Sequence, residues 1–264
     1  MKPGNQSGVP DPVPSPAGAF LKDKRSVKRP LPFGKGPLLT PGGKKMRIDR
    51  REVVRYLGLK RGKELDARWE ERVEEAVAEA EELLRPALSW RTYPVAQVGE
   101  TKITLAGTEL TVTGPRMVRR LAGAERITAL AVTCGPALEE AAAAAFARGE
   151  YVRGAILDAA GSAAAEALAD EVNDSVAAEA QSEGYCLLPR VSPGYADWDL
   201  AVQPQLIRAA GAERLGISLS KALLLIPRKS VTAVIAWVKR PEVGVGGCLA
   251  CPRTNCRYRR EGER

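Results

Sequence analysis

Arg190-Val191-Ser192-Pro193-Gly194-Tyr195 (RVSPGY) runs directly into Ala196-Asp197-Trp198. Pro-Gly suits a type II turn: proline fixes the first central φ and glycine supplies the positive second one. Asp197 could cap the next element. The same residues can also make a ligand loop. A guanidinium grips a carboxylate with two parallel bonds. The bend exposes backbone amide and carbonyl groups, and tyrosine offers a flat face and a hydroxyl. Local physics leaves both readings open and favours the plain turn.

Outward from this stretch, the pattern is of mixed strands and helices. Tyr185–Leu188 reads as a strand leading into the bend. Gln203–Ala210 reads as a short helix, and Ser218–Leu225 as a second short helix or an irregular segment closed by Pro227. Ser230–Val238 (SVTAVIAWV) is β-branched and apolar throughout, as in a central strand. Upstream, Tyr151–Ala180 predicts a long alanine-rich helix whose small faces allow close packing. Leu138–Ala147 predicts another helix, broken at Gly149, and Ile127–Thr133 (ITALAVT) a buried strand. Lys102–Leu105 and Glu109–Thr113 flank Ala-Gly-Thr as a hairpin. Leu65, Trp69, Val73, Val77, Ala80 and Leu84 fall at three- and four-residue steps, one apolar stripe on a helix ending near Pro86. Val53, Val54, Tyr56 and Leu57 give a short helix stopped by Gly58. The elements do not alternate as regular βα units, so the fold class is α+β with a mainly antiparallel sheet rather than a doubly wound one.

Composition sets limits. The 264 residues carry a formal charge of +8. Residues 1–45 hold nine Lys/Arg against two Asp, with nine prolines and seven glycines, and few large apolar groups. Such a segment cannot bury enough surface to offset its ordering entropy and is expected to be disordered. The rest is nearly neutral, and no recognition motif accompanies the basic tail, so a nucleic-acid partner is not expected. The chain has no run of about 18 apolar residues and no secretory leader pattern, so a cytoplasmic protein without membrane spans is expected. There are no histidines. That excludes Ser-His-Asp and Cys-His catalysis, histidine bases and histidine-ligated metals.

Four ordered stretches carry a family resemblance. The bend resembles the Arg-x-x-Pro-Gly-Tyr loop of the activation domain of cobalamin-dependent methionine synthase. Leu130-Ala131-Val132-Thr133-Cys134-Gly135 is similar to that family's strand ending in Ala-Val-Thr-x-Gly. Ala165-Glu166-Ala167-Leu168-Ala169-Asp170 is similar to its helix segment Ala-Glu-Ala-x-Ala-Glu. Leu219, Ser220, Pro227 and Ser230 follow its Leu-Thr-x-Ser, Pro and Ser-Val-Ser pattern. The likeness covers about Met46 to Val238.

The resemblance implies a curved antiparallel sheet with long helices and a domain that binds S-adenosylmethionine. It implies that the ligand's methyl group is presented to reduced cobalamin on a partner module, after an electron from a donor such as flavodoxin or ferredoxin. By the same likeness Arg190 would hold the ligand carboxylate, Ser192 and Gly194 would meet the ligand through the backbone, and Tyr195 and Glu166 would contact it. Trp198 either packs as core, the commoner fate, or lines the contact with the corrin. Departures are specific. Ala-Asp-Trp-Asp replaces the family's Pro-x-Cys-Pro-Asp-His after the tyrosine, the tyrosine pair after the last strand has no counterpart, and the N-terminal ligand aspartate has no clear match. These fit a stand-alone activator docking onto a separate synthase. A non-catalytic S-adenosylmethionine or corrinoid sensor and a metal-bearing electron carrier are the alternatives.

Residues 241–264 form a third region. Cys248-x-x-Cys251 and Cys256 are three of the five cysteines. Two-residue spacing lets both thiolates face one metal. Cys186 is the first candidate for a fourth ligand and Cys134 the second. With no histidine, zinc in a four-cysteine site or an iron–sulfur cluster are the available metals, against free thiols in a basic tail.

Overall fold

Two aspartates open the first helices of the computed structural model, which describes residues 46–58 and 66–239. Asp49 accepts from Arg51 N and starts α1 (Arg50–Tyr56); Asp66 accepts from Trp69 N and starts α2 (Ala67–Leu83). These are ordinary N-caps, satisfying amides that the helix leaves unpaired. Gly58, at φ 77°, comes after α1 where the sequence placed a stop.

Beyond α2 come β1 (Ala87–Val98), β2 (Lys102–Leu105), β3 (Thr111–Thr113), α3 (Pro115–Arg120), β4 (Ala124–Thr133), α4 (Ala137–Ala147) and α5 (Tyr151–Ser182). The C-terminal half adds β5 (Cys186–Leu187), α6 (Gln203–Ala210), β6 (Ser218–Leu219), β7 (Leu225–Ile226) and β8 (Ser230–Val238), with short 3₁₀ turns at Leu200–Val202 and Ala212–Leu215. Six strands form one sheet in the order β3-β2-β1-β4-β8-β5, and every pairing is antiparallel. The fold is α+β, a curved antiparallel sheet with long helices, as expected.

Both faces of the sheet are covered, which is why its central strands read as unbroken apolar runs. On one face Leu130 and Val132 of β4 and Ala233, Ile235 and Trp237 of β8 pack against α1, α2, α4 and α5. On the other, Ile127, Ala129 and Ala131 of β4 and Val234, Ala236 and Val238 of β8 pack against α3, α6 and the hairpin strands. Trp237 is wholly buried yet keeps its polar edge satisfied: its Nε1 donates to Thr128 Oγ1 at 2.7 Å.

Some expectations need correction. Trp69 is 40% exposed, so the buried stripe of α2 begins at Val73. Leu65 lies outside the described residues. Ser218–Leu225 is neither helical nor shapeless: β6 and β7 pair as a small hairpin whose turn carries Leu223 at φ 61°. Ser220 closes it, exchanging backbone bonds with Leu223 and Leu224 and accepting from Leu224 N through its Oγ. Local side-chain bonding of this kind competes with a helix. Two elements, β1 and α3, were not indicated by the sequence. β1 contains Pro94, which ordinarily argues against a central strand. Here Pro94 sits where β1 stops pairing with β4; from Val95 the strand pairs with β2 instead, with an irregularity between Val95 and Gln97.

Candidate functional site

The edge of the sheet leads into the bend. Cys186 pairs with Val238, Leu187 pairs with Trp237, and Leu188 N donates to Ala236 O at 2.9 Å. Pairing resumes between Val191 and Val234, with bonds of 2.9 and 2.8 Å. Between the two the register slips by one residue, with Pro189, which has no N–H to donate, and Arg190 in the gap. Leu188 and Val191 both pack on the α6 side. Arg190 is thereby turned to the opposite face, where α5 runs.

There Arg190 donates to Glu166 Oε2 at 2.5 Å and also to Asp170 Oδ1. The two acids are four residues apart on α5, hence on one face and about 6 Å apart along the axis. Burial disfavours the guanidinium's charge, but the bond to Asp170 and the charges of both acids outweigh it and raise its pKa. α1 packs on α5 near these acids. Tyr56 lies near enough that burial first, then the Glu166 charge, pushes its hydroxyl above the usual tyrosine range.

Past Arg190 the chain makes the expected turn. Tyr195 N donates to Ser192 O at 3.2 Å, and Gly194 has φ 87°, the positive angle a type II turn needs at that position. Gly194 N then donates to Trp198 O at 2.8 Å and Trp198 N to Tyr195 O at 3.0 Å, folding the bend back on itself. The outcome is asymmetric: Tyr195 is 68% exposed and Trp198 only 1%. Trp198 packs in the α6-side core. The corrin-facing role for Trp198 is therefore corrected, since a ring with no accessible face cannot line a docking surface. Asp197 is a second correction. It does not cap the element after it; its carboxylate reaches back to α3, accepting from Arg116 N at 2.7 Å and Met117 N at 3.0 Å. Asp199 fills the local role by accepting from Ala201 N at 2.7 Å.

The polar row on α5 extends beyond the two acids. Asp158, Ser162, Glu166 and Asp170 succeed one another at four-residue steps. Lys229, next to the start of β8, lies 2.8 Å from Asp158 and donates to Ser162 Oγ at 3.0 Å. Arg228 lies 3.3 Å from Asp158. The stem of Lys229 lies across Gly161, where an added Cβ would come within 2.9 Å of it. The row is thus held by Lys229 and Arg228 at one end and by Arg190 roughly two turns, about 12 Å, further on. Sequence reasoning identified Arg190, Glu166, Ser192, Gly194 and Tyr195, and the structure brings Arg190 against Glu166 with the bend beside it. It missed Asp170, Asp158, Ser162 and Lys229. The four-residue spacing was the available signal for the α5 members; Lys229 carried none.

The cysteines divide differently. Cys186 is exposed on β5, while Cys134 is buried, its thiol directed to Gly161 O at 3.8 Å. Burial pushes that thiol up to about 12, against an opposing effect of the Lys229 charge. Cys248, Cys251 and Cys256 lie outside the described residues. Among the described residues no group of three or more acidic, cysteine or histidine side chains is placed to hold a metal, and no helix is long and apolar enough to cross a membrane.

A solved structure shares this architecture: the crystal structure of the MetH reactivation domain bound to AdoHcy, at a TM-score of 0.51 and 17% sequence identity. The match covers 68% of this chain and 66% of that one. The chain has the fold of a MetH reactivation domain. It spans just under two thirds of that reactivation-domain structure, so the likeness speaks for the architecture. No protein-family model and no curated protein matches the sequence.

Proposed function

We propose that this chain binds S-adenosylmethionine at the Arg190–Tyr195 bend and serves the reactivation of a cobalamin-dependent methyltransferase, most simply a methionine synthase. The observation that carries the reading is the one-residue slip that turns Arg190 onto α5 beside Glu166 and leaves Tyr195 exposed on the adjoining turn. The likeness of fold to a domain bound to AdoHcy supports it. Arg190 would take the ligand's carboxylate through two charged bonds, Glu166 its ammonium, and the Ser192–Gly194 backbone the nucleoside end. The reduced cobalamin that accepts the methyl group is substrate, carried by a partner module, and an electron donor such as flavodoxin or ferredoxin would precede the transfer. This chain's share is to bind, to orient and to exclude water. It needs no general acid or base, which suits a chain without histidine.

The test has two steps. Calorimetry with S-adenosylmethionine and AdoHcy should show binding to the purified chain; no heat with either ligand overturns the reading. Radiolabelled methyl from S-adenosylmethionine should then appear on a cobalamin-loaded partner module, held reduced by a supplied low-potential donor, only when this chain is added. Binding without transfer would leave a sensor and remove the reactivation role. The cysteine tail belongs to the same proposal: Cys248, Cys251 and Cys256, with Cys186 as fourth ligand, would hold zinc or an iron–sulfur cluster. Metal analysis of the full chain against a Cys248→Ser, Cys251→Ser variant tests it, and equal metal content in both removes it.

A further inference from the structure

Resting on the proposed reactivation role, we infer that α3 is a docking surface for the cobalamin-carrying partner module, which meets it with an acidic face. α3 carries Arg116, Arg119 and Arg120, all exposed, while Met117 and Val118 turn into the core. Residues three and four apart share one face of a helix, so these guanidinium groups lie together and repel. Among the described residues no acidic side chain forms an ion pair with any of them. By contrast, the exposed Arg148 and Arg208 have Glu150 and Glu109 at 2.7 and 3.0 Å. Lys102, exposed on β2, adds a further cation at the start of the helix: it follows Thr101, whose carbonyl accepts from Gly114 N at 2.8 Å. The acids beside this patch are Asp197, bonded to the Arg116 and Met117 amides, and Glu100, in the exposed turn before β2. Glu125, further along the chain, is held by Lys239 and Tyr185. The patch therefore stays net basic. Unpartnered like charges destabilise the free chain, and an arriving acidic surface relieves them.

Position selects the occupant. α3 follows β3 at one edge of the sheet, whereas the bend follows β5 at the other. The sheet curves far enough for Asp197 to bridge the two, so α3 and the Tyr195 turn share one rim. Tyr195 stands exposed on that rim, two residues from Asp197. Direct methyl transfer needs sulfur and cobalt close and in line. The module that holds cobalamin must therefore come down over the bend, and the α3 arginines meet its edge. Charges at the rim of an interface act chiefly before contact. They draw in and orient the partner, which raises the association rate and makes it sensitive to salt.

Stopped-flow association of the full chain with the cobalamin-loaded module of a methionine synthase tests this. Neutralising the patch with Arg116→Gln, Arg119→Gln and Arg120→Gln together should slow association at least about tenfold at low salt, a gap that shrinks to about twofold near about 0.5 M salt. The pair Arg119→Lys, Arg120→Lys should stay within about twofold of the natural rate, and the pair Arg119→Glu, Arg120→Glu should be slowed at low salt. In the methyl-transfer assay the neutralised chain should need more module for half-maximal rate, with the rate at saturation unchanged. Its affinity for S-adenosylmethionine by calorimetry should not move. Equal association rates and salt slopes in the natural and neutralised chains would overturn the docking surface, as would no association of the natural chain at any salt. A loss of S-adenosylmethionine affinity in the neutralised chain would place the arginines at the ligand instead and overturn it too. A random-sequence DNA duplex that binds only the natural chain, with module association unaffected, would assign the patch to nucleic acid. Association without methyl transfer would leave the docking surface standing and defeat the proposed function. Thermal melts establish that the variants are folded; should the triple variant fail, Arg119→Gln alone, compared with the natural chain across the salt series, decides.

Discussion

Cys134 and Cys186 are the two cysteines among the described residues, and their surroundings oppose one another. Cys134 lies under α5 with its thiol raised by burial to about 12, whereas Cys186 is open on β5. In the chain stripped of metal by a chelator, at pH 8, iodoacetamide should label Cys186 within minutes and leave Cys134 untouched until the protein unfolds; peptide mass mapping reads the difference. The raised value also sets a direction for stability. The folded state holds the Cys134 proton longer than the unfolded chain, so this contribution is complete below about pH 9 and is lost as pH climbs toward about 12. At Arg190, replacement by alanine removes charged bonds and leaves Glu166 and Asp170 without that cation, so ligand affinity should fall by about 1.5–3 kcal/mol, with melting temperature reporting a smaller loss. Arg190 and Glu166 were legible only through a resemblance of motif. Nothing in the local chemistry of Arg-Val-Ser announces that a register slip will turn its guanidinium onto a helix twenty residues upstream.

Among the elements, the bend is fastened by α3, which no periodicity in the sequence revealed. Pro115–Arg120 is too short and too basic to show an apolar stripe, and its cap comes from Asp197, some eighty residues away. Gly114 makes that fastening possible. It has φ 105°, and a Cβ there would come 2.5 Å from Asp197 Oδ1. Gly114→Ala should therefore destabilise the fold by about 1–3 kcal/mol or more in urea titrations, beyond the cost of an ordinary exposed turn. The backbone bonds from Arg116 and Met117 hold the Asp197 carboxyl below the usual aspartate range, overcoming the opposing effect of desolvation. Its contribution is thus present above the unfolded value of about 3.9 and lost as pH falls through the lower folded one. The melting-temperature gap between the natural chain and Asp197→Asn should be open at pH 6 and narrow progressively as pH falls below about 4. Elements with a strong internal period were readable: α6 and β8 lie at the bounds the sequence indicated. β1 was not, because Pro94 and Arg91 interrupt a strand that changes partners midway.

At the scale of the whole molecule, one sheet separates two cores, and the candidate site lies where the edge of that sheet meets the longest helix. The fold class came from mixed elements without βα order, but the site did not, since it depends on placing α5, the bend and the start of β8 side by side. Residues 1–45 carry much of the positive charge and little to bury. Deleting residues 1–40 should leave the melting temperature nearly unchanged; a fall of many degrees would assign that segment a place in the folded unit. Ligand binding at the Arg190 corner is tested most directly by a crystal structure of this chain with AdoHcy. The expected ligand density has its carboxylate on Arg190, its amino group toward Glu166 and Asp170, and the Tyr195 turn closing over it. Density at any other surface, with the Arg190 cluster intact, would contradict that binding mode.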